Sequence, residues 1–262
     1  MLRQLNLFSS FTASSLRGWR GLSLRPGVRQ PERLLELYEF EGCPYCRLVR
    51  EALTELDLDA MVYPCPRGGT RFRPKAIEIG GKAQFPFLVD PNTEARLYES
   101  AEIIQYLSKT YADREIRPWR LERLVAVVTS QLASAARGIR GIQARPSRAP
   151  QRALELYSFE SSPYSRLVRE TLTELEIPYL LRNMAKAQMA DMGPPFVRER
   201  FFPGAAIEGR NRKRLHALTG RLQVPYLLDP NRNVKMFESA EIVMYLESTY
   251  GGDGDTVPGV RL

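Results

Sequence analysis

Two cysteines separated by two residues, Cys43-Pro44-Tyr45-Cys46, sit where a strand-like run, Leu34-Leu35-Glu36-Leu37-Tyr38-Glu39-Phe40, gives way to a helix-like one beginning Arg47-Leu48-Val49. That spacing at a strand-to-helix junction suits thiol-disulfide exchange. A cysteine at a helix N-terminus meets unpaired backbone N–H groups and the positive end of the helix dipole. Both favour the thiolate, which is the nucleophile of that reaction. Pro44 fits the first helical position. Cys46, one turn on, is placed to attack a mixed disulfide at Cys43 and release its partner. A structural zinc site is the rival use of paired cysteines, but it needs four ligands, and only Cys65 and the single histidine, His216, remain to supply them.

The chain writes this passage twice. Leu154-Glu155-Leu156-Tyr157-Ser158-Phe159-Glu160-Ser161-Ser162-Pro163-Tyr164-Ser165-Arg166 repeats Leu35 onward almost letter for letter at a spacing of 119, which sets Ser162 beneath Cys43 and Ser165 beneath Cys46. Phe85-Pro86-Phe87 returns as Val224-Pro225-Tyr226, and Glu99-Ser100 returns as Glu238-Ser239, both at a spacing of 139. Two copies make a duplication and not a solenoid. A serine lacks the low pKa and the disulfide-forming sulfur of a cysteine, so the second copy cannot run cysteine chemistry.

Each copy reads as strand, helix, strand, then helix, hairpin, helix. In the first copy the strands fall at 34–40 and 60–63 with a helix at 44–56 between them. A hairpin turns at Asp90-Pro91-Asn92-Thr93, and a closing helix spans 99–111. Right-handed crossovers place helices on both faces of a four-stranded mixed sheet. Between the copies, 119–136 predicts a connecting helix with Leu121, Leu124, Val125, Val128 and Leu132 buried between the domains.

A length of 262 residues leaves room for two domains, and 44% hydrophobic content is ordinary for a soluble chain. No apolar run reaches the roughly 18 residues of a membrane span. The net charge of +8 falls partly on the N-terminus and lacks interleaved aromatics, which argues against nucleic acid as a partner. Three cysteines do not make a disulfide framework. Residues 1–31 have transit-peptide composition: no Asp or Glu precedes Glu32, and Arg3, Arg17, Arg20, Arg25 and Arg29 alternate with serines, leucines and phenylalanines. A disordered basic tail is the alternative. The early arginine favours a mitochondrion and the serine content a plastid. Segment 189–208, where Arg198 and Arg200 lie among Phe196, Phe201 and Phe202, reads as an exposed loop for docking a protein partner, and 251–262 as a flexible tail.

Together these motifs resemble glutaredoxins and the N-terminal domain of glutathione transferases. Cys43-Pro44-Tyr45-Cys46 is similar to the active-site turn, Phe85-Pro86-Phe87 to the cis-proline loop, and Glu99-Ser100 to the start of the glutathione-binding helix. The tandem order resembles that of plant and algal plastid proteins with two such domains. The resemblance implies an α/β fold of two thioredoxin-like domains, 32–112 and 154–250, joined by a helical linker at 113–153. It also implies glutathione as ligand, no metal, and a place in the plastid stroma or, alternatively, the mitochondrial matrix. It casts Cys43 as nucleophile and Cys46 as resolving thiol. Tyr45 and the backbone of Phe85 and Phe87, on either side of Pro86, would lie along glutathione. Glu99 would pair with the γ-glutamyl ammonium, Ser100 would meet its carboxylate, and Lys82 or Arg67 would hold the glycyl carboxylate. A plain helix cap is the alternative for Ser100. Ser162, Ser165, Pro225, Glu238 and Ser239 would form a degenerate second site, kept for the fold or for non-redox binding.

The departures shape the expected function. A glutaredoxin commonly carries a basic residue before its first cysteine, whereas here the approach is Glu39-Phe40-Glu41-Gly42. Two carboxylates oppose a thiolate unless Arg47 or Arg50 offsets them. The helical domain that follows in a glutathione transferase is absent, which disfavours conjugation of electrophiles. The sequence therefore points to an organellar glutathione-dependent thiol-disulfide oxidoreductase acting on a protein disulfide or a glutathionylated substrate, with a redox-inactive second domain. The alternative is a non-catalytic accessory subunit, binding glutathione or protein, in an organellar assembly.

Overall fold

Helix α1 (Leu2–Leu16) precedes a first α/β unit: strand β1 (Leu35–Glu39), helix α2 (Pro44–Glu55), strand β2 (Ala60–Pro64), helix α3 (Arg73–Gly80), hairpin β3 (Phe87–Asp90) and β4 (Ala95–Leu97), and helix α4 (Ser100–Ala112). Helix α5 (Arg120–Ala135) leads into the second unit. Its parts are β5 (Leu154–Ser158), α6 (Pro163–Glu174), β6 (Tyr179–Asn183), α7 (Pro195–Phe201), α8 (Arg210–Thr219), β7 (Tyr226–Asp229), β8 (Val234–Phe237) and α9 (Ser239–Tyr250). The computed structural model describes residues 2–25, 27–115, 120–193 and 195–252. Both units are thioredoxin-like: β1 runs parallel to β2 and antiparallel to β3, and β5 does the same with β6 and β7. Leu35, Leu37, Val49, Leu53 and Leu107 close the first core, and Leu154, Leu156, Val168, Leu172 and Leu246 close the second.

The two four-stranded sheets are one. The strand order is β4-β3-β1-β2-β6-β5-β7-β8, with β2 and β6 antiparallel and Met61 opposite Leu180, its own counterpart 119 residues on. The copies are thus related by an approximate twofold axis through that pair. Joining the two outer strands removes the unpaired edge that each domain would present alone.

Three expectations change here. Helix α5 exists, although Trp119 lies outside the described residues, but its apolar stripe is not buried: Leu121, Leu124, Val125, Val128 and Leu132 are 43% to 66% exposed. The inward face is made of Ser130 and Ala133, whose small side chains let α5 lie close to α2. The sheet already joins the domains, so the stripe has nothing to cover it.

The described residues among 1–31 are packed against the rest of the chain. Helix α1 packs on α5 and α6 with Ser10, Ala13 and Ser14 fully buried, and Leu24 N donates to the Lys186 carbonyl at 2.9 Å. A sequence signal for this exists. Arg17-Gly18-Trp19-Arg20-Gly21 recurs 120 residues on as Arg137-Gly138-Ile139-Arg140-Gly141, and Arg25-Pro26 recurs as Arg145-Pro146. The duplication therefore includes the segment read as a transit peptide. Each leading helix is exchanged: α5 covers α2 of the first unit and α1 covers α6 of the second.

In 189–208, Met189, Phe196 and Phe201 are exposed, but Arg198 turns inward to Asp191 and the carbonyls of Ala205 and Ala206, so it is no steering charge. At the C-terminus Gly252 N donates to the Pro146 carbonyl at 2.9 Å, and the rest of the expected tail, from 253 on, lies outside the described residues. No helix among the described residues is long and apolar enough to cross a membrane.

Candidate functional site

Cys43 caps the N-terminus of α2 in an extended conformation, and its Sγ accepts from the backbone N–H of Cys46 at 3.4 Å. Its thiol is lowered to a pKa of about 7, chiefly by the hydrogen bond from the Cys46 side chain. The N–H groups of Cys46 and Tyr45 and the charge of Arg50 act in the same direction, against burial. Cys46, fully buried, is pushed the opposite way by that burial and by its bond to Cys43. The two thiols are driven in opposite directions, which favours the thiolate at Cys43 over Cys46. Cys65 is a core residue beside Tyr38, Ala76 and Phe87, its thiol pushed up by burial. Tyr45 is 42% exposed at the turn. In the second copy Ser162 caps α6 the same way, accepting from Ser165 N at 3.2 Å.

The Phe85–Pro86 bond is cis, as is Val224–Pro225. Phe85 lies edge-on to Phe40 and under the guanidinium of Arg73 at 4.8 Å, while the Phe87 ring is buried in the core against Tyr98. Ser100 is the first helical residue of α4 and is buried, and the residue at the cap position makes no side-chain capping bond. The cap is Glu99, at φ 61° and ψ 114°, and Glu238 repeats it at φ 69° and ψ 111°. Positive φ at a non-glycine residue costs on the order of 1–3 kcal/mol and persists only where its surroundings hold it. Gln84 donates to the Glu99 carboxylate, and Gln223 donates to Glu238 at 2.5 Å. Sequence reasoning missed these two glutamines, although Gln-x-Pro recurs at the same spacing of 139. Lys82 stands over the Tyr98 ring at 5.1 Å, and Arg67 is exposed on a turn whose backbone N–H donates to Ile142.

The acidic approach to Cys43 is neutralised inside the molecule. Arg50, fully buried, binds Glu39, Glu41 at 3.1 Å and Glu160 at 2.9 Å. Arg169, its counterpart in α6, binds Glu41 and Glu160 at 3.0 Å each. This cluster lies between the copies and draws carboxylates from both. Burial lifts Glu39 to a pKa of about 7 despite Arg50. Burial also works against Glu160, but Arg169 and Arg50 reverse it and hold Glu160 at about 2. Arg47 instead reaches Ser134 on α5 at 3.2 Å.

The exchanged helices clamp both turns. Ser130 Oγ donates to the Pro44 carbonyl at 2.7 Å, and Ser10 Oγ donates to the Pro163 carbonyl at 2.8 Å. Arg17 forms a buried pair with Glu51, and Arg137 forms one with Glu170. Gly42 N donates to Gly141, and a Cβ at Gly42 would come within 2.4 Å of Ile142, so only glycine admits that turn against the residue before Cys43. Nothing local in the sequence signals that Ser10 and Ser130 reach these turns.

The profile of the glutathione S-transferase N-terminal domain matches residues 37–115 and 156–254. No match is found among curated proteins. Among solved structures the chain is similar to TDR1 of Leishmania, described as a unique trimeric glutathione transferase. The identity is 13%, the coverage 87% of this chain and 70% of that chain, and the TM-score 0.28.

Proposed function

The chain belongs to the glutathione S-transferase N-terminal domain family through both of its copies, and we propose that the first copy is a glutathione-dependent thiol-disulfide oxidoreductase. The observation that carries this reading is the placement of Cys43 at the N-terminus of α2, its Sγ accepting from Cys46 N with Cys46 buried behind it, an arrangement that lowers the Cys43 thiol to about 7 and raises that of Cys46. A Cys43 thiolate attacks the glutathione sulfur of a glutathionylated substrate. The S–S bond breaks, the substrate sulfur leaves as a thiolate and takes a proton from solvent, and Cys43 carries glutathione. Cys46 then gives up its proton and attacks Cys43 Sγ, releasing glutathione and leaving a Cys43–Cys46 disulfide. Two further glutathione molecules supply the two electrons that restore the dithiol and leave as glutathione disulfide. Glu39 acts on Cys46 through its charge, and one of its buried carboxylate oxygens has no hydrogen-bond partner, which suits it to take the Cys46 proton. The Glu99 carboxylate suits the γ-glutamyl ammonium, and the N-terminus of α4 at Ser100 suits its carboxylate.

The second copy keeps cis Pro225, the positive-φ Glu238 and Ser239 without a sulfur, which supports ligand binding or a purely structural part but no redox step. The exposed Met189, Phe196 and Phe201 favour a second reading, in which that copy docks a protein partner in an organellar assembly.

The test is glutathione disulfide added to the full-length protein, followed by mass spectrometry. Cys46→Ser is expected to accumulate one glutathione on Cys43 and Cys43→Ser to accumulate none, while the wild type passes to the Cys43–Cys46 disulfide. Alkylation of Cys43 at the rate of an ordinary free thiol would exclude the oxidoreductase reading.

A further inference from the structure

The two copies differ at one position that lines a cleft in the first. In the second copy Arg145 lies between two carboxylates. It binds Glu174 of α6 at 2.9 Å and, with both terminal nitrogens, Glu247 of α9 at 2.5 and 3.1 Å. In the first copy the same arginine is Arg25, and it binds Glu55, the counterpart of Glu174, at 2.6 Å. The counterpart of Glu247 is Ser108, 139 residues earlier. Ser108 is 1% exposed, and its hydroxyl has no hydrogen-bond partner. One arginine has lost its second carboxylate, and a buried hydroxyl has gained nothing in exchange.

A cleft of about 680 Å³ occupies this place, bounded by α2, α4, α5 and the arm that follows α1. Ser108, Arg25 and Arg20 line it. Ile104, one turn before Ser108 on α4, and Leu121 and Val125 of α5 contribute apolar lining, and the two α5 residues are 66% and 52% exposed. That volume falls within the roughly 300–1,000 Å³ of small-molecule sites, and a few polar groups against an apolar wall are the usual makeup of such sites. The lining carries five arginines against three glutamates, so the cleft favours an anion.

We propose that this cleft binds an apolar carboxylate, whose head takes the position that Glu247 fills in the second copy. The head accepts from Arg25 and from the Ser108 hydroxyl, and the hydrocarbon body covers Leu121 and Val125. The duplication supplies the template, since an internal carboxylate already occupies the equivalent place on Arg145. No step at Cys43 is involved, and the proposal stands apart from the oxidoreductase reading.

Decanoate titrated calorimetrically into the full-length chain tests this, with decyltrimethylammonium as the control of equal length and opposite charge. Saturable binding of one decanoate is expected, and at least tenfold weaker binding of the cation. Ser108→Glu installs the carboxylate of the second copy beside Arg25. It is expected to weaken decanoate at least tenfold while leaving the melting temperature unchanged or higher. Arg25→Met removes the cation and is expected to weaken decanoate to a similar extent, and it stands in should Ser108→Glu not fold. Equal affinity for the cation, no saturable decanoate binding, or undiminished binding to either folded variant would overturn the proposal.

Discussion

Ser130 of α5 donates a 2.7 Å hydrogen bond to the carbonyl of Pro44, so the helix that leads into the second copy holds down the thiol turn of the first. Ser130→Ala removes one mostly buried hydrogen bond, worth about 1 kcal/mol of stability. It also loosens the turn that carries Cys43, so alkylation of Cys43 by iodoacetamide is expected to become faster. Ser10→Ala breaks the equivalent bond to Pro163 and is expected to cost a similar amount in urea unfolding while leaving the Cys43 rate unchanged. Equal alkylation rates in wild type and Ser130→Ala would show that the clamp does not govern the thiol.

The rate of Cys43 alkylation is expected to rise with pH around a midpoint near 7, where its thiolate forms. The Cys46 side chain is the largest cause of that low value. Cys46→Ala is therefore expected to move the midpoint upward, whereas Cys65→Ala, a change in the core, is expected to leave it in place. A rate profile that does not move in Cys46→Ala would remove the basis for dividing the thiols into nucleophile and resolver.

Two buried glutamates give stability a two-sided pH dependence. Glu39 is raised from 4.5 to about 7 in the folded chain, so between those values the folded state holds a proton that the unfolded state has lost. Stability then falls as pH rises through that window. Glu160 is lowered from 4.5 to about 2, and its contribution is present above 4.5 and lost as pH falls toward 2. Melting temperature followed against pH should show both limbs, and Glu39→Gln is expected to shrink the upper one, to which Asp57, raised by burial to about 7, also contributes, and to leave the lower one in place.

The strands, the helices other than α1 and α7, and the thiol turn were legible in the sequence because hydrophobic periodicity and the Cys-Pro-Tyr-Cys spacing are local signals, and the duplication repeated the pattern. The long-range pairings were not legible. Nothing local to Ala60–Pro64 or Tyr179–Asn183 says that these strands pair with each other, since an edge strand and a central one carry similar alternation. Glu39 and Glu41 looked like a penalty on the thiol because Arg169, which neutralises Glu41, comes from 128 residues away. The regular spacing of Leu121, Leu124, Val125, Val128 and Leu132 located a helix correctly and misplaced its buried face, because periodicity marks an apolar stripe without showing what covers it.

Leu124 is 60% exposed on α5, and the join between the copies is made by β2 and β6. Leu124→Asp is therefore expected to change stability by no more than about 0.5 kcal/mol, as surface substitutions generally do. Limited proteolysis should give the wild-type fragment pattern. A new cleavage between the two halves would show that the stripe is covered in solution.

Arg17 ties the N-terminal arm to the thiol helix. Its guanidinium makes hydrogen bonds of 2.8 and 2.6 Å to Glu51 and one of 3.1 Å to the Ala126 carbonyl, and the side chains of the pair are 5% and 6% exposed. Burial raises the Glu51 carboxyl, and Arg17 is the main influence opposing it. Arg17→Met leaves that carboxylate buried without a partner, a change that costs about 3–5 kcal/mol for such pairs. The loss is expected to be largest at neutral and higher pH, where Glu51 must either ionise unpaired or take up a proton at a cost, and smaller near pH 5, where protonation is cheap. Arg17→Met with Glu51→Leu removes both charges and is expected to recover most of the stability, because the penalty lies in the orphaned charge and not in the missing bond. Urea unfolding of the three proteins at two pH values separates these outcomes. If the single variant unfolds at the wild-type urea concentration at both, the first 25 residues are not part of the folded unit.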